Sequence, residues 1–334
     1  MVESECMVKK RVLSGIRATG RLHIGNYLGA VKGMLALQDN PEYDTFYMVA
    51  DLHSLTTPYD PKELAGDVRE VVLDYLAAGL DPEKSTIFVQ SQVPENLELS
   101  YLFATVVSIA RMQHLPTYKD KVKQYPEANS MALLHYPVLM AADILAYKSD
   151  LVPVGIDQEP HLEVTREIAR KMNDKFGTDF PEPKRFATKG EYIPSLKGEG
   201  KMSKTVEGSY INLTDSLDEI KKALAGAPTD SGRGEKVPES GGVKNLLTLV
   251  EMFEGEARKK EYEAQYLGEG IEYSALKNDL AEAIFAELKP LQEKRKVFEN
   301  DLSLVERILE EGAYKAGKVA KETLLETKKA MGLA

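Results

Sequence analysis

A parallel β-sheet covered by helices and followed by a wholly helical segment is the α/β architecture that this sequence predicts. Three observations lead there. Short apolar runs alternate with stretches of helical apolar spacing, glycine-bearing turns punctuate them, and beyond residue 205 the chain becomes rich in Lys, Glu, Ala and Leu with few β-branched runs. Strand–helix alternation marks a sheet whose ligands gather at the carboxyl ends of its strands.

The elements follow in order. Residues 11 to 16 (RVLSGI) read as a strand ending in Ala18-Thr19-Gly20, and Leu28, Val31, Met34 and Leu35 give Asn26 to Gln38 a helical period. Thr45 to Ala50 is a second strand. Leu64, Val68, Val71, Val72, Tyr75 and Leu76 make Pro61 to Leu80 a helix with proline suited to its start. Thr86 to Val89 is a third strand, Leu97 to Met112 and Ser130 to Tyr147 are helices, and Leu151 to Val154 is a fourth, Pro-interrupted strand. Gly226 to Gly242 is a loop between two helical groups. At ~100–200 residues per domain, 334 residues suggest two units, 1–205 and 206–334.

Composition narrows the function. The 53 acidic residues against 43 basic ones give a formal charge of −10, which argues against a general nucleic-acid coat or a polybasic membrane binder, so any RNA contact must be local. The one cysteine, Cys6, can form neither an internal disulfide nor a thiolate metal cluster, which points to an intracellular protein. No window approaches the ~18 apolar residues of a membrane span, and MVESECMVKK has acids where a signal peptide needs a basic head. The expectation is a cytoplasmic protein.

Two motifs carry chemistry. In Gly15-Ile16-Arg17-Ala18-Thr19-Gly20-Arg21-Leu22-His23-Ile24-Gly25-Asn26, glycines, a hydroxyl and an imidazole follow a strand and open a helix, a layout that cradles phosphate on backbone N–H groups. On spacing alone it is equally an ordinary strand-to-helix turn. Much further along, Lys201-Met202-Ser203-Lys204-Thr205 follows Gly198-Glu199-Gly200. Two ammonium groups on a mobile loop can neutralise a departing pyrophosphate; alone, the run is also a solvated basic turn.

Together, HIGN and KMSKT in this order resemble the two signatures of class I aminoacyl-tRNA synthetases. The resemblance extends to YPVLMAADIL at 136–145 and VPVGIDQEPHLEVTREIA at 152–169, which are similar to the central blocks of the bacterial tryptophanyl-tRNA synthetase family. It implies a Rossmann-type catalytic domain (1–205), a helical anticodon-binding domain (206–334) and a homodimer. It also implies activation of L-tryptophan by ATP and transfer of tryptophan to the 3′ end of its tRNA.

The residues bear on specificity independently. Tyr136, Met140 and Asp143 are four and three apart and share one helix face, so two can shape a slot with the carboxylate at its end. An indole N–H donated to an ionised Asp143 would be a charge-assisted bond. A tyrosine O–H could donate there too. Met140 stands where tyrosyl enzymes resemble Tyr-x-x-x-Gln-x-x-Asp, and a soft thioether suits a large flat ring, although some tryptophanyl enzymes also carry Gln.

The resemblance carries further residues over. Gly15, His53, Val152 and Val154 match indole-pocket positions, each also compatible with core, and Gln158 matches the group that orients the substrate amine. For ATP it implies Arg17, Ala18, Thr19, Gly25, Asn26, Gly155, Ile156, Asp157, Ile193, Lys201, Met202, Ser203, Lys204 and Thr205. Lys121 matches a basic triphosphate contact, in a lysine-rich run that is also what a solvated face looks like. Catalytic roles fall on Lys201, Lys204, Lys121, His23 and Asn26, with His161 and Glu163 in support.

Some positions depart from the pattern. Asn26 replaces the usual His, Thr205 the usual Ser, and Arg17 the Gln of many bacterial members. Mg²⁺ is expected through ATP oxygens rather than a protein cage, so no fixed metal ligand is expected. The lone Cys6 implies no iron–sulfur cluster. Lys and Arg beyond 206, with Arg111 to Lys123, are the expected tRNA face. The alternatives are a tyrosyl-tRNA synthetase, an inactive RNA-binding paralogue and a small-molecule nucleotidyltransferase.

Overall fold

The computed structural model describes residues 9–187, 192–204 and 206–334. Strands β1 (Lys10–Arg17), β2 (Tyr43–Ala50), β3 (Ser85–Val89), β4 (Leu151–Pro153) and β5 (Lys184–Phe186) form one sheet in the order β3-β2-β1-β4-β5. Every neighbouring pair is parallel. The chain works outward from β1 to β3 and then crosses back to β4, so a crevice opens between the carboxyl ends of β1 and β4, where the strand order reverses.

The connections are helical. β1 leads through α1 (Ile24–Asn26) and one π turn into α2 (Lys32–Gln38). β2 leads into α3 (Asp51–Ser54) and α4 (Leu64–Ala78), and β3 into α5 (Glu95–Ala104), α6 (Ile109–Gln113), α7 (Pro116–Gln124) and α8 (Met131–Ala146). α9 (Glu159–Phe176) joins β4 to β5. Beyond residue 206 lie α10 (Leu217–Ala225), α11 (Gly241–Phe253), α12 (Glu256–Leu267), α13 (Tyr273–Glu299) and α14 (Leu302–Ala330).

Strand side chains alternate between two cores, because successive residues of a strand point to opposite faces. Val12, Tyr47 and Ile87 enter one, with α2, α4 and the helices α10 to α13; Leu13, Met48, Phe88 and Val152 enter the other, with α5, α8 and α9. The first core runs without a break from the sheet into the C-terminal helices. The edge strand β3 is covered by α14, whose Gly312 would put a Cβ 1.8 Å from the Ile87 carbonyl oxygen. Only glycine permits that approach, and it closes an edge that would otherwise offer unpaired backbone.

Two local expectations change and further elements appear. The helix foreseen over 97–112 is two, α5 and α6, because Thr105 donates its hydroxyl back to the Leu102 carbonyl at 2.7 Å and Ser108 starts a new helix by accepting from Arg111 N at 3.2 Å. Pro61 lies in a turn and the helix begins at Leu64. Strand β5 and helices α7 and α9 are additional. The loop after Gly226 does lie between α10 and α11, and the region beyond 206 is helical as expected.

Candidate active site

The first signature is stitched by backbone to the segment that follows the second. Ile24 N donates to Ile211 O at 2.9 Å and Leu213 N to Leu22 O at 2.9 Å, with His23 and Asn212 paired between them. His23 caps α1: its Nδ1 accepts from Asn26 N at 3.3 Å while Asn26 Oδ1 accepts from His23 N at 3.2 Å. An accepting Nδ1 needs a neutral ring. Burial, then the charges of Lys204 and Lys201, lower the His23 pKa to about 4, so the ring is neutral with its proton on Nε2.

The second signature belongs to a tight hairpin. Met202 N donates to Ile193 O at 2.9 Å and Ser195 N to Gly200 O at 2.9 Å, and the Ile193 and Met202 side chains are both buried. Gly25 lets α1 reach this hairpin, since a Cβ there would lie 3.2 Å from Met202 Cβ. Ser203 is tied on both backbone groups to the Ser209 hydroxyl. Thr205 lies outside the described residues, as does Cys6.

The two lysines then part company. Lys201 Nζ pairs with Asp157 Oδ2 at 3.1 Å in the turn after β4, and Lys204 Nζ donates to Thr19 O at 2.6 Å in the loop after β1. Burial raises the Asp157 pKa, but the bond and charge of Lys201 outweigh it and the net shift is downward; burial lowers that of Lys204. Lys121 Nζ donates to Gln124 Oε1 at 3.0 Å and sits over the Tyr125 ring, its pKa lowered by burial and by the charges of Arg17 and Lys201. Arg17 gives Nη2 to Thr57 Oγ1 at 2.7 Å, while its buried Nε has no hydrogen-bond partner among the described residues. Arg17, Lys121, Lys201 and Lys204 thus converge on the crevice.

Beside them, Ile156 is 62 % exposed in the turn that follows Gly155. Ala18 is buried and accepts from the Ser54 hydroxyl through its carbonyl oxygen.

A second constellation lies deeper. Asp143, with no exposed surface, faces the carboxyl ends of β2 and β3. Its Oδ2 is 2.9 Å from His53 Nε2 and accepts from Gln90 Nε2 at 2.8 Å, and its Oδ1 accepts from Asn96 Nδ2 at 3.1 Å. Three partners make a buried carboxylate tenable and leave Oδ1 with acceptor capacity. Tyr136, on the same helix face, holds His161 Nε2 at 2.8 Å and Thr117 Oγ1 at 3.0 Å; His161 Nδ1 is 2.9 Å from Gln158 Oε1, and Gln158 Nε2 reaches Asp157 Oδ2 at 3.1 Å. A polar chain therefore runs from Tyr136 to Lys201. Burial lowers the His161 pKa to about 4.

Met140 and Val154 are half-buried against the second core, Val152 lies within it, and Gly15 packs on Met48. Glu163 pairs with Arg166 and Arg170 on α9. The sequence reading missed Gln90, Asn96, Thr117 and Thr57. Gln90 directly follows β3, and attention to the residue after every strand would have found it.

Among the described residues no group of three or more His, Cys, Asp or Glu side chains is placed to hold a metal ion, and no helix is long and apolar enough to cross a membrane.

Residues 7–289 match the family model described as tRNA synthetases class I (W and Y). The chain is 42% identical over 332 residues to a tryptophan–tRNA ligase of Clostridium tetani, covering 97% of this chain and 96% of that one. It is similar to the crystal structure of the Campylobacter jejuni tryptophanyl-tRNA synthetase complexed with ADP and tryptophan, with a TM-score of 0.84, 33% identity, and coverage of 97% and 100%. The Mycoplasma pneumoniae tryptophanyl-tRNA synthetase aligns with a TM-score of 0.85, 33% identity, and coverage of 98% and 99%.

Proposed function

Because the chain belongs to the class I tRNA synthetases of the W and Y group, we propose that it is a tryptophan–tRNA ligase. It joins L-tryptophan to ATP as tryptophanyl-adenylate with release of pyrophosphate, then passes the tryptophanyl group to the 3′ end of its tRNA. The observation that carries the reading is the pairing of two unlike ends in one crevice: a buried, three-partnered Asp143 at one and the converging Arg17, Lys121, Lys201 and Lys204 at the other.

The substrate carboxylate is ionised at neutral pH and attacks the α-phosphorus itself; the bond to the bridging oxygen breaks and pyrophosphate leaves with the electron pair. No protein nucleophile is needed. What the protein supplies is alignment and charge placed where it accumulates. Lys201 and Lys204, moving from Asp157 and Thr19 O to the departing phosphates, would supply that charge, with Lys121 and Arg17 beside them. Neutral His23 would offer Nε2–H, with Gly25 and the Asn26 side chain beside the nucleotide at the start of α1. Gly155, Ile156 and Asp157 would flank the adenosine together with the Ala18–Thr19 loop and the Ile193 backbone. In the second step the ribose hydroxyl attacks the acyl carbon and AMP leaves.

Asp143 Oδ1 would accept the indole N–H, with Tyr136, Met140, His53, Val154 and the wall formed by Gly15 and Val152 shaping the slot. Gln158, held by His161, would orient the amine. Mg²⁺ enters with ATP, and the residues assigned to the crevice make up neither a resident metal site nor an iron–sulfur site. Residues 206–334 would read the anticodon through a local basic face. The working form is a homodimer in the cytoplasm.

Amino-acid-dependent ATP–pyrophosphate exchange, run with tryptophan, tyrosine and neither, followed by charging of bulk tRNA, tests the reading. Exchange with tryptophan and charging are expected. Exchange with tyrosine instead would make the chain a tyrosyl enzyme, and no exchange with any amino acid would make it an inactive paralogue.

A further inference from the structure

Outside the crevice, a buried charge network ties its first loop to the C-terminal helices. Asp74 on α4 has no exposed surface and faces two ways. Its Oδ2 accepts the backbone N–H of Leu22, the residue before His23, at 2.6 Å, and its Oδ1 takes Nη1 of Arg295 on α13. Arg295, itself buried, completes its fork on Glu70 Oε2 and Glu299 Oε1, each at 2.7 Å. Glu70 in turn receives Arg21 Nε at 2.9 Å. Residues 21 and 22 are thus each held by a carboxylate of α4, and both carboxylates by one guanidinium of α13.

Cohesion alone does not call for these charges. α4 and α13 already share one apolar core, to which α4 gives Val72 and Leu76 and α13 gives Ile284, Leu288 and Leu291, and a buried ion pair often adds nothing over an apolar pair of similar volume. What an apolar pair cannot do is accept the Leu22 N–H. Since the Leu22 carbonyl accepts from Leu213 N at 2.9 Å, Leu22 is fixed on both its polar groups, and the pose of His23 and the start of α1 follows. Lys204 lies in the field of Asp74, Glu70 and Asp67 on the same helix.

We infer that Asp74 and Arg295 are positioning residues for the nucleotide end of the crevice: they set Leu22 and His23 and make the ATP step depend on how α13 is seated. This rests on the ligase reading above. The test compares the parent, Asp74→Asn and the paired variant Asp74→Leu with Arg295→Met, at a temperature where circular dichroism shows each folded. Calorimetry gives Kd for ATP and for tryptophan, and exchange kinetics give kcat and KM.

The paired variant, which loses both buried charges but leaves the Leu22 N–H without its acceptor, is expected to stay folded with a lowered melting temperature while its kcat/KM for ATP falls at least tenfold and its tryptophan Kd stays within twofold. Asp74→Asn, which keeps an acceptor for Leu22, should lose less. Recovery of the ATP step together with stability in the paired variant overturns the inference, as does equal loss for ATP and tryptophan. Should neither buried variant fold, Glu70→Gln on the accessible rim carries the same readout: a loss confined to ATP supports the inference and an unchanged ATP step overturns it. A parent with no tryptophan-dependent exchange would sink the ligase reading, while the ATP Kd values would still decide this one.

Discussion

The two ends of the crevice differ in what they lack. At the deep end the Asp143 carboxylate is already met by His53, Gln90 and Asn96, and Tyr136 is fixed between Thr117 and His161; the one loose end among them is Asn96 Oδ1, buried without a partner among the described residues. At the nucleotide end Lys201 and Lys204 rest on different loops, and Arg17 has a buried N–H without a partner among the described residues. A network whose central carboxylate is already met on both oxygens holds its shape before the ligand arrives, which favours selectivity. An unsatisfied one gains its partners from the ligand and can tighten as charge develops, which favours rate.

Removing the satisfied end's centre should have the largest effect. On the proposed assignment, Asp143→Ala strips one acceptor from the indole and leaves three buried partners unpaired, so kcat/KM for tryptophan should fall by roughly 10³-fold with ATP affinity little changed. Equal loss for both substrates in exchange kinetics would mean that Asp143 is structural and the two ends are not separable. At the other end, Lys204→Ala should cost about 10²-fold in kcat with tryptophan Kd unmoved, the size seen when one charge-stabilising donor is lost. Gln90→Ala sharpens the contrast further: one of the carboxylate's donors goes, and tryptophan kcat/KM should drop about tenfold while ATP kinetics hold.

Acid should weaken both ends alike. His23 and His161 titrate near 4 in the folded chain, against an ordinary value of 6.5. Between those values the unfolded chain binds the protons that the folded one refuses, so stability is full above 6.5 and falls as the pH drops toward 4, by about 3 kcal/mol for each group. Burial raises the Asp74 pKa to about 6, which works the other way over the same window, so urea unfolding of the parent is compared with His23→Gln and His161→Gln; a pH slope that neither substitution changes would mean that neither ring is held neutral. The His23 share should shrink with salt because the charges of Lys204 and Lys201 contribute to it.

How much of this could be read from the sequence depended on whether the signal was local. HIGN and KMSKT announce themselves through glycine, hydroxyl and lysine within a few residues, and the apolar runs of β1, β2 and β3 mark a sheet. Lys184–Phe186 is too short and too basic to read as a strand, and it forms β5 only by pairing with β4. Gln90 and Asn96 are amides at the ends of elements with no period to betray them; they matter because the fold brings them to Asp143. The same holds for residues 211–213, ordinary in sequence, which dock by backbone on the first signature and so bring the segment after the second one to it. Continuity of one core from β1 to α13 is likewise a matter of packing, which a change in composition near residue 205 does not reveal.

The smallest effect expected is the one that isolates exposure from burial. The Lys201 and Asp157 side chains are 57% and 52% exposed, so their interactions, and those of a triphosphate drawn to the same lysine, are open to screening. Asp143 and its partners are enclosed. Raising KCl from about 0.1 M to about 1 M shortens the screening length from about 10 Å to about 3 Å, which should raise KM for ATP several-fold and leave the tryptophan Kd within twofold. Calorimetry and exchange kinetics at matched salt measure both quantities. If tryptophan binding weakened in step with ATP, the deep end would be as dependent on exposed charge as the nucleotide end, and the distinction between a preformed pocket and a ligand-completed cation cluster would fail.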